Sequence, residues 1–277
     1  MTTRTTAPTT TRMTAQRLVR LVAAGDLDAV RTAVTESPHL LHRTVERAGQ
    51  GGWTPLHVAV TEGREDVVRL LAGAGADLAA RTEHGRTPLH VALETHPELV
   101  AVLRELGAAV DAPSAAFLDD AEQLARELDR GAHLVDPLTG ADLLSFAAAG
   151  GALGTARLLL ERGADADGGA LLAAAAGAHA GLVRLLLEAG ADVDRRDPDT
   201  GRTPLHAAVG AGTHGDTPEV VRLLLAAGAD VHATTNDGAS ALDIIRVSAA
   251  RNRRGDAGRA SVDDALADLL LAHGATD

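Results

Sequence analysis

The sequence contains one short motif three times, and each copy has a proline inside it. "GWTPLH" stands at 52–57, and "GRTPLH" stands at both 85–90 and 201–206. The first two copies lie 33 residues apart. Self-similarity with a period of about 20 to 50 residues is typical of chains that stack copies of one small unit. The motif therefore predicts a repeat architecture rather than a single compact globule.

A second recurring marker, "GAD" or a close variant, indicates further copies of the unit. It begins at Gly75, Gly107, Gly131, Gly163, Gly190 and Gly228, and "HGA" closes the series at Gly274. The spacing of these glycines scatters around the 33-residue period. This scatter indicates deletions and insertions in individual units.

Each unit has the signals of two short helices. In the first complete copy, Thr54 fits an N-cap and Pro55 fits the first helical position. Gly63 predicts the end of this helix, and Gly75 predicts the end of a second one. The apolar stripe of the second helix consists of Val67, Leu70 and Leu71.

The composition agrees with short, closely packed helices. Apolar residues make up 45% of the chain, and nearly all of them are Ala, Leu or Val. The chain has one Trp, two Phe and no Tyr. Small side chains suit helices that each bury a narrow apolar stripe against near neighbours.

The pattern G-x-TPLH-x-A, followed by G, VV-x-LL and GAD, resembles the ankyrin repeat over about residues 14–277. The resemblance implies an all-α solenoid of about seven to eight repeats, several of them degenerate. Antiparallel helix pairs would stack side by side, and short hairpin-like fingers and the first helices would line a concave groove. It further implies that His57, His90 and His206 are structural and bond locally and to the adjacent repeat.

The expected domain organisation follows from the resemblance. Residues 1–13 are predicted to be a disordered Thr-rich leader, and 14–277 a single ankyrin-repeat domain. Within that domain we expect an N-terminal capping unit at 14–49, central repeats at 50–235 that are degenerate at 111–170, and a C-terminal capping repeat at 236–277 with an Arg-rich insertion at 249–262.

Three departures from the pattern stand out. His96 replaces the usual helix-ending glycine of the third unit. In the fifth unit, Asp142 is assigned to the proline position and Leu144 to the histidine position. The sixth unit begins so soon after Asp167 that its finger is predicted to be truncated. Such irregularity is expected to open a recess along the groove.

Missing residue types exclude several kinds of chemistry. Without Cys, the chain has no disulfides, thiolate metal sites or Cys nucleophiles. All 26 basic residues are Arg, which excludes a P-loop or Schiff-base lysine. No cofactor is expected. The acidic loop Asp192–Gly201 lacks calcium-loop spacing, and the pair His39 and His42 has no third ligand, so no metal site is predicted.

Charge and composition also bear on partners and location. A net charge of −12 argues against nucleic acid and anionic membranes as partners. No run of 18 apolar residues occurs. The N-terminus lacks the apolar region of a secretory signal, so a cytoplasmic location is expected. The use of Arg without Lys is typical of a GC-rich, bacterial genome.

The favoured hypothesis is a binding module whose concave groove recognises a partner protein. The family pattern assigns one set of residues to this groove: Trp53, Val58, Thr61, Arg86, Val91, Thr95, Phe117, Ser145 and Leu172. An apolar floor with few polar groups also fits a site for an apolar small molecule.

The alternative hypothesis is therefore a cofactor-independent lyase or cyclase. Glu62, Glu94, His84 and His96 would supply its general acid and base. Dehydration, proton abstraction or conjugate-addition cyclisation would suit this inventory, for example in natural-product biosynthesis. Arginines in and beside the last insertion could contact phosphate, but a solvated loop is the favoured interpretation.

Overall fold

The computed structural model describes residues 13–135, 140, 142–212, 216–252 and 257–276, and it leaves the side chains of 251–261 undescribed. All but the last residue of the predicted leader lie outside the described residues. The chain divides into two compact units, Met1–Val110 and Asp111–Asp277. A single domain over 14–277 stays a prediction.

The first unit contains three helix pairs and one hairpin. The pairs are α1 (Ala15–Ala24) with α2 (Leu27–Glu36), α3 (Pro55–Thr61) with α4 (Glu65–Gly73), and α5 (Pro88–Thr95) with α6 (Leu99–Glu105). A 3₁₀ helix, Pro38–His42, follows α2 and carries His39 and His42. Strands β1 (Val45–Arg47) and β2 (Gln50–Trp53) pair antiparallel and form the finger before α3.

The second unit contains five helix pairs among the described residues. They are α7 (Ala112–Phe117) with α8 (Ala121–Asp129), α9 (Leu143–Ala149) with α10 (Leu153–Glu161), α11 (Ala170–Ala176) with α12 (Ala180–Glu188), α13 (Pro204–Gly210) with α14 (Thr217–Ala226), and α15 (Ala241–Asn252) with α16 (Ala257–Ala272). In neither unit does a described helix combine the length and apolar composition that crossing a bilayer requires.

Within each unit the pairs stack in register. The two helices of a pair contact each other, first helices contact neighbouring first helices, and second helices contact neighbouring second helices. In the first unit, α3 packs between α1 and α5. In the second unit, α11 packs between α9 and α13. The predicted solenoid of stacked helix pairs is therefore confirmed.

The TPLH motif begins each of its helices as predicted. The Thr54 hydroxyl accepts the backbone N–H of His57, and the His57 side chain accepts the backbone N–H of Thr54. Thr87 with His90 and Thr203 with His206 form the same reciprocal box. Thr is therefore the N-cap, Pro the first helical residue, and His the partner that completes the cap.

His57 also joins its repeat to the next one. Its Nε2–H donates to the carbonyl of Arg86 at 3.0 Å, while its Nδ1 accepts from Thr54. The neutral tautomer with the proton on Nε2 satisfies all of these bonds. Burial lowers the pKa of His57 and of His206, since a charged imidazole would lose its hydration. His57 therefore forms both the local bond and the bond to the next repeat that the family resemblance implied, and His206 forms the local one.

The fourth and fifth units keep the cap but change the residues that make it, whereas in the sixth unit the N-cap of α11 is Gly169, which has no side chain to accept the bond. Asp142 accepts the Ser145 backbone N–H at 2.6 Å and the Ser145 hydroxyl at 2.7 Å. Asp111 and Ser114 form the same arrangement in the preceding unit. Asp142 thus occupies the threonine position and Ser145 the histidine position, so the predicted assignment was wrong by one residue.

The buried core confirms this register. The third motif position is a leucine with 2% exposure or less in six units: Leu56, Leu89, Leu144, Leu171, Leu205 and Leu242. Five residues after each cap, a fully buried alanine recurs at Ala59, Ala92, Ala116, Ala147, Ala174 and Ala208. The absence of bulk at these positions allows neighbouring first helices to pack closely.

The insertion in the last repeat is largely helical. The first helix, α15, continues to Asn252, and α16 begins at Ala257, so the inserted residues lengthen both helices. They have 12 and 16 residues, against 10 in the longest of the other helices. Most of the Arg-rich cluster lies outside the residues whose side chains the structure describes.

Lowering the pH should weaken the fold through the buried histidines. The pKa of each imidazole is lower in the folded protein than the ordinary 6.5, so the unfolded chain binds more protons below about pH 7. The free energy of unfolding should therefore fall between pH 7 and pH 5, by at most about 1.4 kcal/mol per pH unit and histidine. Urea midpoints at several pH values measure this.

Two variants serve as controls for that titration. Exchange of the exposed His84 for Asn is the control for replacing a histidine that lies outside the buried caps. The double variant His57→Asn/His206→Asn should be less stable at pH 7 but should lose most of the slope. If the double variant kept the same dependence of unfolding free energy on pH, His57 and His206 would not be its cause.

Removal of the cap in the fifth unit should destabilise it. Asp142→Ala leaves the Ser145 N–H without its acceptor and should cost about 1 kcal/mol of unfolding free energy, measured from the urea midpoint. Asp142→Ser keeps an acceptor at the cap and should cost only a few tenths of that. Equal losses in the two variants would show that the cap is not the cause.

Candidate functional site

Fingers and first helices border one surface, which we call the inner face. In the first unit, Arg47 of the β1–β2 finger forms a 2.6 Å ion pair with Glu62 at the end of α3. Arg86, in the finger before α5, pairs with Glu94 in the last turn of that helix. Each pair joins a finger to the helix that follows it. Both sets of side chains therefore lie on the same face.

Trp53 lies at the base of the first finger and is only 8% exposed. Its ring meets the imidazole of His57 edge to face, with centroids 5.9 Å apart. The guanidinium of Arg47 lies 5.9 Å from the ring centroid, at cation–π distance. Trp53 was assigned to the groove, but its burial leaves little of its ring for a partner to contact.

Two other predicted groove residues are also buried. Val58 is fully buried, and Val91 is 1% exposed. Val58 lies in α3, which is buried from Pro55 to Val60. Val91 lies in α5, which is buried from Pro88 to Leu93. Only the last turn of each helix reaches the surface. Val58 and Val91 were wrongly assigned to the groove, because in a short helix even this side is covered.

Thr61 and Thr95 do lie in that last turn. The Thr61 hydroxyl donates to the carbonyl of His57, and the Thr95 hydroxyl donates to that of Val91. Thr61 is half-buried and Thr95 exposed. With the half-buried Arg86, they are the predicted groove residues of this unit that a partner can reach.

The four predicted acid–base residues do not form one site. Glu62 and Glu94 are each held by a different arginine, and His96 bonds to Glu98 at 2.8 Å. His84 is exposed in the finger before α5. Within the described part of the chain, no hydrogen bond or ion pair joins any two of the four. A carboxylate held by a guanidinium would have to leave its strong, charge-assisted bond before it could take a proton.

His96 has a packing role at the turn between α5 and α6. As predicted, it ends α5 in place of a glycine. Its ring covers Gly63 of the preceding turn so closely that a Cβ there would lie 2.6 Å from the ring. His179 covers Gly151 in the same way in the second unit. These histidines therefore stack the helix–helix turns of adjacent repeats.

The predicted groove residues of the second unit have different surroundings. Phe117 is half-buried, and a Cβ on Gly150 would lie 2.1 Å from its carbonyl oxygen. Ser145 is a capping residue. Leu172 lines a recess of about 140 Å³ together with Arg195 and Pro198 of the next finger. This recess lies beside the finger before α11, which the sequence predicts to be truncated.

A larger recess, of about 350 Å³, lies between the last two fingers. Its lining combines polar finger residues with the apolar Ala239 and Ile244: Asp199, Thr200, Arg202, Thr235, Asn236 and Asp237. Asn236 ties the two fingers together, since its N–H donates to the carbonyl of Thr200 and its side-chain amide to that of Asp199. We call this the C-terminal recess.

Sequence reasoning missed the C-terminal recess. One signal was present, because Arg202 stands in the same "GRTPLH" hexapeptide as Arg86. Two neighbouring carboxylates, Asp197 and Asp237, have lowered pKa values. The pKa of Asp237 is lowered by the Thr235 hydroxyl, and that of Asp197 by the hydroxyl and N–H of Thr200. The charge of Arg202 lowers both pKa values further.

In the acidic loop before α13, carboxylates accept hydrogen bonds from backbone N–H groups. Asp192 accepts the N–H of Asp194, and Asp194 accepts that of Asp230 in the next repeat. Across the part of the chain that the structure describes, no three His, Asp or Glu side chains are grouped to hold a metal ion. These aspartates therefore shape turns and join neighbouring fingers.

Replacement of Gly63 tests the packing of His96. Gly63 has φ of +63° and lies under the imidazole, so Gly63→Ala should lower the unfolding free energy by about 1 to 3 kcal/mol. Thermal or urea unfolding measures the loss. Adding His96→Ala should restore the part of the unfolding free energy that is lost to the clash with the ring. The part that is lost to backbone strain at position 63 should remain lost.

The matched control for that series is Gly73→Ala, in α4. A Cβ on Gly73 would meet nothing within 4 Å, so this variant should be neutral or slightly stabilising. If His96→Ala recovered nothing in the Gly63→Ala background, the proposed packing would be incorrect.

Comparison with known proteins identifies the repeat. The sequence profile described as ankyrin repeats (3 copies) matches residues 18–114 and 144–235, more than half of the chain. Among solved structures, the ankyrin repeat domain of Bcl-3 is 28% identical, with a TM-score of 0.41. That match covers 82% of this chain and 92% of the Bcl-3 chain.

Curated relatives match over shorter regions. Protein fem-1 homolog A of Danio rerio is 36% identical over 133 residues, which cover 41% of this chain and 21% of the relative. The 2-5A-dependent ribonuclease of Homo sapiens is 39% identical over 27% of this chain and 10% of its own length. Protein phosphatase 1 regulatory subunit 27 of Homo sapiens is 40% identical over 30% of this chain and 51% of its own length.

Proposed function

Because the chain belongs to the ankyrin-repeat family, we propose that it is a binding module whose concave inner face recognises a partner protein. Ankyrin repeats typically mediate protein–protein interactions, and the repeats in this chain expose fingers and last helical turns for that use. The matched regions span between a tenth and about half of the relatives named above, so their activities are no guide to this partner.

The observation that carries the proposal is the contrast between the inner face of the first unit and that of the second. In the first unit, two finger arginines, Arg47 and Arg86, form ion pairs with Glu62 and Glu94. In the second unit, the C-terminal recess holds polar donors and acceptors beside the apolar Ile244. Recognition sites commonly combine an apolar floor with a few placed polar groups. The recess has this combination.

Charge supports a protein rather than a phosphate-rich partner. The net charge of −12 disfavours nucleic acid and anionic membrane surfaces. A chain without cysteine also suits the reducing cytoplasm, which is where we place the interaction. No observation favours the enzyme hypothesis, since Glu62, Glu94 and His96 each bond to a residue outside the proposed set, and His84 is exposed in a finger.

Matched variants on two faces of the second unit test the proposal. Ile244→Asp changes the inner face, whereas Arg222→Asp changes the exposed surface of the second helix α14. A partner isolated from the native host with the unaltered protein is purified, and its dissociation constant is measured for each variant.

The inner-face variant should bind at least about tenfold more weakly, because a desolvated charge replaces an apolar contact. The outer-face variant should bind as the parent does. Circular dichroism and urea midpoints establish that both variants are folded. Loss of binding only in Arg222→Asp would place the interaction on the opposite face and contradict the proposal.

A further inference from the structure

The two identical hexapeptides "GRTPLH" have different surroundings. In the third repeat, Arg86 reaches from its finger to Glu94, seven residues after the cap Thr87. In the seventh repeat, the residue seven positions after the cap Thr203 is Gly210. The arginine is therefore kept, but its carboxylate partner is missing from the sequence.

Arg202 nevertheless lies next to the space that a side chain at position 210 would enter. Outside the helix itself, the described atom nearest to a Cβ placed on Gly210 would be the Arg202 Nη1, at 4.0 Å. Arg202 is exposed and forms no ion pair with any residue that the structure describes. Its positive charge lowers the pKa of Asp197 and of Asp237. The hydrogen bonds of these two carboxylates, however, come from the hydroxyls of Thr200 and Thr235, respectively.

The C-terminal recess extends from Arg202 to the apolar Ile244 and Ala239. Asn236 adds an exposed amide at its rim. A guanidinium is a planar donor that matches a carboxylate in two parallel hydrogen bonds. The recess therefore offers a place for one carboxylate and, beside it, a place for one apolar side chain.

Building on the proposed function, we propose that Arg202 binds an aspartate or glutamate of the partner, and that the adjacent residue of the partner is apolar and packs against Ile244. The partner's carboxylate takes the place over Gly210 that Glu94 takes in the third repeat. Asp199 and Asp237 border the recess and repel a misplaced carboxylate, which confines the acidic side chain to Arg202.

The internal copy suggests a specific test. Gly210→Glu supplies the missing carboxylate from the chain itself and should occupy Arg202, as Glu94 occupies Arg86. Among the described residues outside its own helix, Arg202 alone has an atom within 4 Å of the added Cβ, so these residues leave room for the new side chain. Gly210→Gln has the same size without the charge and is the matched control. Arg202→Gln removes the cation.

The probe is a peptide selected from a displayed random heptapeptide library on the parent protein. It is synthesised as a Glu form and as an isosteric Gln form at its acidic position. The parent and Gly210→Gln should prefer the Glu form by about fivefold in dissociation constant. Gly210→Glu and Arg202→Gln should lose this preference while retaining the binding of the Gln form. The preference of the parent should also shrink as the salt concentration rises.

The outcomes separate this inference from the function on which it rests. If the selected peptides show no acidic preference, or if the preference survives in Arg202→Gln, the inference is wrong. If Gly210→Glu and Gly210→Gln weaken binding equally, bulk rather than charge is responsible, and the inference is also wrong. If Ile244→Asp disrupts the binding of none of the selected peptides, the result would instead count against the proposed function itself.

Discussion

The start of each first helix is the constraint on which the structure depends. These helices have six to twelve residues, so the N–H groups of the first turn are a large share of their backbone donors. Helices this short are marginal on their own. A cap residue satisfies the first donors and also ends the preceding finger. The same bond therefore fixes where the helix begins and how the finger leaves it.

The cap also links neighbouring repeats. His57 completes the cap of its own helix with Nδ1 and bonds the next finger with Nε2. Buried leucines and alanines beneath the caps then hold adjacent first helices together. Stability in such an array depends on contacts between neighbours as much as on each unit. Loss of one cap thus weakens both its helix and the interface with the next repeat.

The sequence was sufficient to predict this framework, and its failures have identifiable causes. The caps, the helix-ending glycines and the shortened sixth finger follow from local chemistry. The fifth repeat was misaligned because Asp142 and Ser145 replace Thr and His with other residues of the same capping ability. Asp is as good an N-cap as Thr. Comparison of capping ability rather than residue identity would have given the right register.

The site was harder to predict, because it depends on distances between segments. The burial of Val58 and Val91 results from neighbours on both sides of a short helix. The ion pair of Arg47 with Glu62 joins residues fifteen positions apart, and no periodicity fixes that contact. Both effects require the folded arrangement. The sequence predicted an accessible surface in the middle of the first helices. In the structure, the accessible residues lie in the last turns of these helices and in the fingers.

A repeat protein provides its own comparison, and this makes differences between copies more informative than their consensus. Residues common to all copies are needed for stacking and cannot distinguish one partner from another. Arg86 and Arg202 share a hexapeptide, yet only one of them finds a carboxylate within its repeat. Since both hexapeptides contain the same Thr cap, the difference that matters for the arginine is the residue seven positions after that cap, Glu94 in one repeat and Gly210 in the other. Specificity can therefore arise from a deleted side chain, because the remaining half of an internal pair is already positioned to bind an external one.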